Sequence, residues 1–390
     1  MNVEELKKER IALFKKAMRK DGAPKRVPHL SNIYTWKVSQ SEYSLSEATH
    51  DWDIMLKIQS DFNKKYIIDA AQDIGIRNPL NMTEILGNIE YTVNDEICSI
   101  SIRDQCIMTE DEYPQLIADP WKYIWEVFIP RKNPKLLEKN SAYYLRESLK
   151  EFAAFGEYSK KVMASFAEDG IPPLVSCDFT CEPFGGYELL FNLFRGIKGV
   201  SIDLRRHKQE VREAIDVLDS ITNYPLMDNY TDDKAGTTPN ACFDCMVPML
   251  GHTVLNSKQF EEFYWPYFKK MSDFAVKYDK IIYVFTEGDG TPFLDFFAEF
   301  PKGHFGVHCE QTDIFNQYKH CPNIANIGGM PFTLLATGTP EECVDRVKYL
   351  LDFFSEGGYI FSEEKMVSFP NECRPDTFAA VCDYLNTYWK

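Results

Sequence analysis

The sequence of 390 residues has no apolar run long enough to span a membrane. Its longest strong run, residues 281–285, has the length of one strand, whereas a bilayer crossing needs ~18 consecutive apolar residues. The N-terminal segment, residues 1–20, is charged throughout and contains no apolar stretch of the kind found in a secretory signal. We therefore expect a cytoplasmic protein that does not cross a membrane.

Positive charge is scarce, because 43 Lys and Arg stand against 59 Asp and Glu, which gives a net charge of −16. Nucleic acids and anionic membrane surfaces are bound by cationic side chains, so neither is an expected partner. The 11 cysteines are odd in number and cannot all pair within the chain, which favours a reducing compartment. Apolar residues make up 44% of the chain, enough for a large core.

Glycine motifs for nucleotides are also missing, since no GxGxxG or GxxxxGK[ST] follows a predicted strand. From residue 174 onward, short apolar runs alternate with amphipathic helices, a pattern that builds parallel sheets through helical crossovers. We predict a (β/α)8 TIM-type barrel over residues 136–390, with a doubly wound sheet as the main alternative. The predicted strands are 174–179, 200–204, 246–250, 281–285, 305–308, 324–327 and 359–361.

Residues 1–135 are predicted to form an N-terminal helical layer and a small antiparallel insertion. Apolar residues recur at helical spacing near the N-terminus, at Val3, Leu6, Ile11, Phe14 and Met18. Alternating apolar residues on both sides of the polar segment 94–96 predict a hairpin. We expect this part and the barrel to form one structural unit.

Active groups of parallel barrels follow the carboxyl ends of strands, so polar residues at those points are candidates for chemistry. Glu287 follows one predicted strand and His308 ends the next. We therefore expect their side chains to meet at one mouth and to bind Zn²⁺, which accepts carboxylate oxygen and imidazole nitrogen. We include Glu310 in the predicted metal set, although the residues leave the third ligand open among Asp289, Cys309, Glu310, His252, Glu363 and Glu364.

Other strand ends supply the remaining candidates. Asp178 and His252 are predicted catalytic residues that orient the substrate or supply a proton. Asp289, Tyr187 and Met330 are predicted substrate contacts. The pair Cys242-x-x-Cys245 lacks a second CxxC, so we expect packing residues there and not a zinc knuckle.

Several motifs together carry a family likeness: RVP at 26–28, NIGGMP at 326–331, GTPEE at 338–342 and GGYI at 357–360. This combination resembles the uroporphyrinogen decarboxylase superfamily, and the likeness runs over most of the chain. It implies a (β/α)8 barrel with N-terminal helices, in agreement with the pattern above.

The decarboxylases of this superfamily carry an arginine-rich segment after the early Arg-x-Pro, whereas residues 29–36 here contain no arginine. A polyanionic tetrapyrrole would therefore meet uncompensated negative charge. The resemblance instead favours the branch of zinc-dependent methyltransferases. Glu287-x-Asp289 stands where thiol-methylating members have His-x-Cys, and carboxylate ligands of this sort occur in members that demethylate methoxylated aromatic compounds.

The resemblance thus implies a methyltransferase component in which Zn²⁺ on Glu287 and His308 polarises the methyl-bearing atom of a small substrate. The methyl acceptor is the Co(I) corrinoid of a separate protein, because no Asp-x-His-x-x-Gly motif occurs in the chain. A homodimer is left open. The alternatives are a metal-free decarboxylase or lyase that uses Asp178 and His252, and a barrel that binds a small ligand without catalysis.

Overall fold

The structure, a computed structural model, describes residues 2–176 and 184–388. Its strands are β1 (Leu30–Ser31), β2 (Ala70–Ala71), β3 (Tyr91–Asn94), β4 (Ser99–Ile102), β5 (Cys245–Met249), β6 (Ile282–Thr286), β7 (Phe305–Cys309), β8 (Ala325–Met330) and β9 (Tyr359–Glu363). Its α-helices are α1 (Val3–Arg19), α2 (Trp36–Ser39), α3 (Leu45–His50), α4 (Trp52–Lys65), α5 (Leu80–Ile85), α6 (Tyr113–Ala118), α7 (Pro120–Tyr123), α8 (Ile129–Lys132), α9 (Ser141–Glu168), α10 (Gly186–Leu189), α11 (Gly196–Arg206), α12 (Lys208–Ile221), α13 (Asn223–Asp228), α14 (Ser257–Gln259), α15 (Trp265–Lys277), α16 (Leu294–Phe297), α17 (Ile314–His320), α18 (Phe332–Thr337), α19 (Pro340–Phe353) and α20 (Pro375–Thr387).

Five of these strands form a parallel sheet in the order β5-β6-β7-β8-β9. The sheet is extended at both edges. A parallel bridge between His29 and Phe361 brings β1 beside β9, and β1 pairs in parallel with β2. At the other edge, a bridge between Val175 and Phe243 adds the segment 174–176. The predicted α/β fold with a parallel sheet is therefore confirmed, and closure of the barrel stays a prediction.

Successive side chains of a strand point to opposite faces of a sheet. One face carries a compact cluster that we call the inner core; among its members are Leu30, Ala70, Tyr283, Ile327 and Ile360. Leu174 and Val175, from the opposite edge to Ala70, pack against the same cluster, so the sheet curls around it. The other face is covered by the helices, and its strand residues belong to two outer clusters.

Helix α1 closes the inner core at the amino ends of the strands. Phe14 and Met18 belong to the inner core, and a Cβ on Gly306 would approach the Met18 Sδ to 2.5 Å. Asn2 caps the helix and forms a capping box with Glu5. The predicted N-terminal helix is therefore confirmed, and its apolar side chains fill the inner core at the amino ends of the strands.

A buried ion cluster lies at the same end. The Asp69 carboxylate accepts hydrogen bonds from Arg10 Nε at 3.1 Å, from the Arg26 guanidinium at 2.6 and 2.7 Å, and from the His29 backbone N–H at 2.9 Å. Burial alone would raise the pKa of Asp69, but the two arginines hold this pKa below its ordinary value.

The predicted hairpin is also confirmed, since β3 and β4 pair antiparallel with Asn94 opposite Ser99. The predicted strand at 200–204 is wrong, because these residues lie in α11. Val200 and Leu204 are four residues apart and both buried, which is the spacing of one helix face. Of the predicted strand 174–179, residues 177–179 lie outside the described residues. No helix of the described chain has the length and apolarity to cross a bilayer.

Candidate active site

The carboxyl ends of β6 and β7 bring two carboxylates together. Phe285 pairs with His308 in the sheet, so the residue level with Glu287 is Glu310, two positions further along both strands. Tyr283 and Phe285 belong to the inner core, and by alternation Glu287 points the same way. The Gly288 N–H donates to Glu310 Oε2 at 2.6 Å, which fixes the second carboxylate beside the first.

Two cations complete this group, which we call the rim cluster: Glu287, Glu310, Arg77 and Lys365. Burial, followed by the negative charge of Glu310, raises the pKa of Glu287 to about 7 against the opposing effect of the two cations. Arg77 lies 5.2 Å above the Tyr34 ring, and its Nη2 is buried without a hydrogen-bond partner. The cluster therefore holds a carboxyl group that titrates near neutrality beside an unsatisfied donor.

His308 lies one level below this cluster and is fully engaged. Its Nδ1 is 2.9 Å from the Tyr283 hydroxyl, and its Nε2 is 2.9 and 3.0 Å from the backbone carbonyls of Glu363 and Glu364. Carbonyls only accept, so Nε2 carries the proton, and Nδ1 accepts from the tyrosine. Burial lowers the pKa of His308 to about 4, so the ring is neutral at pH 7.

The residues predicted as zinc ligands do not fit a zinc site. A catalytic zinc needs three protein ligands, and no group of three or more His, Cys, Asp or Glu within 2–176 and 184–388 is placed to hold a metal. The physical reason is the strand register, which sets Glu287 beside Glu310 and leaves both nitrogens of His308 bonded within the protein. Cys242 and Cys245 are buried and belong to different core clusters.

Of the two predicted catalytic residues, the structure describes His252. His252 is fully buried with its ring 5.6 Å from Phe293, and burial lowers its pKa to about 4 despite the nearby Asp289 carboxylate. It is therefore neutral at pH 7 and shielded from solvent, and its catalytic role stays a prediction. Asp178 lies outside the described residues.

Two of the three predicted substrate contacts belong to the packed core, and their role in substrate binding stays a prediction. The Tyr187 hydroxyl donates to the Gly251 carbonyl at 3.2 Å, and its ring stacks on Phe191. Met330 is fully buried in an outer cluster. Asp289 is exposed, but its carboxylate accepts from the Thr291 N–H at 2.9 Å and so closes its own turn.

Sequence reasoning missed Glu188, which holds the loop after β5 in place. Its carboxylate is buried and accepts from the N–H groups of Leu250 and Gly251 at 2.7 and 2.8 Å, and also from Asn192 and Tyr264. Burial raises the pKa of Glu188, although these donors oppose the effect. No motif marks such a residue, because Glu188 lies on α10 while its donors come from the π-helical turn Leu190–Phe194, the loop after β5 and the π-helical turn Phe260–Tyr264.

The comparisons with known proteins agree with this architecture. The model of the uroporphyrinogen decarboxylase family matches residues 193–388, which is half of the chain. The chain belongs to this family. The family predicted from the motifs is thereby confirmed.

One solved structure, a methyltransferase from Methanosarcina mazei, superposes with a TM-score of 0.61 at 12% sequence identity. The match covers 98% of this chain and 99% of that one. At this identity the likeness shows a shared fold over the whole length. None of the curated proteins compared with the chain matches it.

Proposed function

We propose that this protein is a methyltransferase that moves a methyl group from a small methylated substrate, such as a methoxyaromatic compound, to the corrinoid of a partner protein. In this proposal Glu287 is the general acid. The observation that carries it is the pair of carboxylates Glu287 and Glu310 at the mouth of the sheet. The full-length likeness to a methyltransferase and the arginine-free segment 29–36 support the same reaction class.

Cleavage of a methyl ether breaks the bond between methyl carbon and oxygen. The electron pair of that bond stays on the oxygen, which then takes a proton from Glu287. The acceptor, a Co(I) corrinoid, supplies the electron pair for the new bond to the methyl carbon. An acid whose pKa is about 7 is well suited to this task, because it is protonated in a large fraction of molecules at neutral pH and still releases its proton readily.

Glu310 keeps this acid available, because a second carboxylate at the same level disfavours ionisation of the first. In members of the superfamily that bind zinc, the metal would polarise the same heteroatom. No step of the proposed reaction runs through zinc, since the described donors do not fit it.

The test is methyl transfer to Co(I) cobalamin from a panel of methoxyarenes, methylamines and betaines. With the substrate that reacts, we expect Glu287→Gln to lower the rate about 10²- to 10⁴-fold, because the amide cannot release a proton. Glu299→Gln, at an exposed glutamate in the turn after α16, is the matched control and keeps full activity. Full activity of Glu287→Gln, or no transfer from any compound by the wild type, contradicts the proposal.

One observation favours a second function, a metal-free decarboxylase. The unpartnered Nη2 of Arg77 beside Glu287 is a buried cationic donor, which is what a substrate carboxylate needs. Carbon dioxide release from aromatic acids, lost in Arg77→Met, would identify this activity. A protein that shows neither reaction and still binds small ligands matches the third alternative, a barrel without catalysis.

A further inference from the structure

A belt of polar side chains crosses the interior on the same face of the sheet as the rim cluster. We call Asn32, Gln72, Tyr283, His308 and Ser362 the inner belt. The Tyr283 hydroxyl lies 3.0 Å from Gln72 Oε1 and 2.9 Å from His308 Nδ1. Asn32 follows the pair Ser31–Ala71 of β1 and β2, so it is level with Gln72. The three central members of the belt thus lie within hydrogen-bonding distance of one another.

The two end members, Asn32 and Ser362, have no such partners. Asn32 is 0% exposed, and neither its amide nitrogen nor its amide oxygen has a hydrogen-bond partner. Ser362 is 0% exposed as well, and its hydroxyl is equally unpartnered. Buried polar atoms are almost always hydrogen-bonded, and leaving them unpaired costs free energy, so two such side chains together call for an occupant.

Both side chains point into the interior. Leu30 and Ile360 belong to the inner core, whereas Ile33 and Phe361 belong to an outer cluster. By alternation, Asn32 and Ser362 share the inner face with the first pair. β1 and β9 are neighbours through the bridge at Phe361, so the two unpartnered groups come from adjacent strands.

The next strand places a glycine beside the belt. A Cβ on Gly328 of β8 would lie 3.6 Å from the His308 ring, which shows that this glycine also faces the belt. The Asn32 backbone N–H donates to Glu363 Oε2 at 2.6 Å, so the backbone of Asn32 is fixed while its side chain stays available. The arrangement is a preformed pair of hydrogen-bonding groups beside an uncrowded strand.

We propose that Asn32 and Ser362 form a subsite for an uncharged polar group of the substrate, a hydroxyl or a carboxamide. This inference rests on the proposed function and specifies its substrate class. An amide and a hydroxyl each offer both a donor and an acceptor, and a ligand hydroxyl or carboxamide satisfies both kinds. A carboxylate is disfavoured there, because Glu287 and Glu310 lie on the same face of the sheet.

A site built to hydrogen-bond a polar group discriminates against an analogue that lacks it, because its own buried groups then stay unpaired. The probes are therefore phenol and benzamide, with toluene as the apolar analogue. Binding to the full chain is measured by ligand-observed NMR without a methyl acceptor. We expect the wild type to bind phenol or benzamide at least about tenfold more tightly than toluene.

Ser362→Ala and Asn32→Leu are expected to reduce this preference to about threefold or less. Ser31→Ala is the matched control, because Ser31 is 2% exposed and its hydroxyl is also unpartnered, but it lies on the outer face of β1. This variant keeps the wild-type preference. Circular dichroism checks the fold, and if Asn32→Leu does not fold, the comparison of Ser362→Ala with Ser31→Ala decides.

Equal binding of toluene and phenol, no binding of any probe, or an equal loss in Ser31→Ala overturns the inference. The outcome is separate from that of methyl transfer. A protein that binds phenol through Asn32 and Ser362 but transfers no methyl group keeps this subsite and loses the proposed reaction.

Discussion

Asp69 and Glu287 are both mostly buried carboxylates, but they lie at opposite ends of the sheet and their pKa values move in opposite directions. Asp69, at the amino ends of the strands, faces two arginines, and its pKa is held below the ordinary value. Glu287, at the carboxyl ends, has no such paired cation, and burial followed by the charge of Glu310 raises its pKa to about 7. The difference shows that burial raises the pKa of a carboxyl group unless directly paired cations offset its effect.

The contrast follows the division of labour in parallel barrels. The amino ends of the strands serve stability, while the carboxyl ends and their loops carry the chemistry. Asp69 is paired with two arginines, so its carboxylate has no proton to donate to a ligand. The unmatched carboxylate Glu287 retains a proton that it can give away.

The largest expected effect on the free energy of unfolding comes from removing the charge of Asp69 at the amino ends of the strands. Asp69→Asn leaves Arg10 and Arg26 without their shared counterion in a buried place, and such a change typically costs about 3–5 kcal/mol of unfolding free energy. Urea denaturation measures it. Asp279→Asn is the control, because this aspartate pairs with Arg19 while its side chain is 62% exposed, and we expect a loss below about 1 kcal/mol. Equal losses in the two variants would remove the contrast.

A smaller change in stability, of opposite sign, is expected from substituting Glu287 at the carboxyl ends of the strands. The pKa of Glu287 rises from 4.5 in the unfolded chain to about 7 in the folded one, so the folded state binds more protons between these values. Its contribution to stability is therefore lost as the pH rises through this window. Glu287→Gln removes this loss, and we expect the variant to be about 1–3 kcal/mol more stable than the wild type at pH 8.

The measurement is the urea midpoint at pH 4.5 and at pH 8, with Glu299→Gln as the matched exposed control. The stability difference between Glu287→Gln and the wild type should grow with pH. A difference that is independent of pH would mean that Glu287 is ionised normally in the folded protein.

The smallest effect sharpens the comparison by changing a neighbour. Glu310→Gln removes the like charge beside Glu287 while keeping an oxygen that can accept from the Gly288 N–H. We expect the pKa of Glu287 to fall by about half a unit to one unit. In the proposed mechanism the acid form of Glu287 is the active one, so the alkaline decline of kcat/KM is expected to move to lower pH. A move to higher pH would show that Glu310 does not act through its charge.

The sheet from β5 to β9 could be predicted closely, because each strand is an apolar run bounded by turns. β1 and β2 could not, since two residues each are too few to show a period. Val200 and Leu204 show a related difficulty, because a short apolar run fits either a strand or one helix face.

The site was harder to predict than the fold. Glu287, Glu310 and His308 do end neighbouring strands, but which of them lie level depends on the register, and a sequence does not state it. Arg77 escaped notice because it follows the very short β2. Asn32 and Ser362 carry no motif, and only their lack of partners inside the fold draws attention to them.

Phe14 and Met18 of α1 fill the inner core at the amino ends of the strands, so a ligand of the rim cluster approaches from the carboxyl ends. In the proposed function, a methyl carrier that docks at the carboxyl ends would cover a small substrate already bound there. The proposal therefore predicts ordered initial-rate kinetics, in which the substrate binds before the carrier and the demethylated product leaves after it.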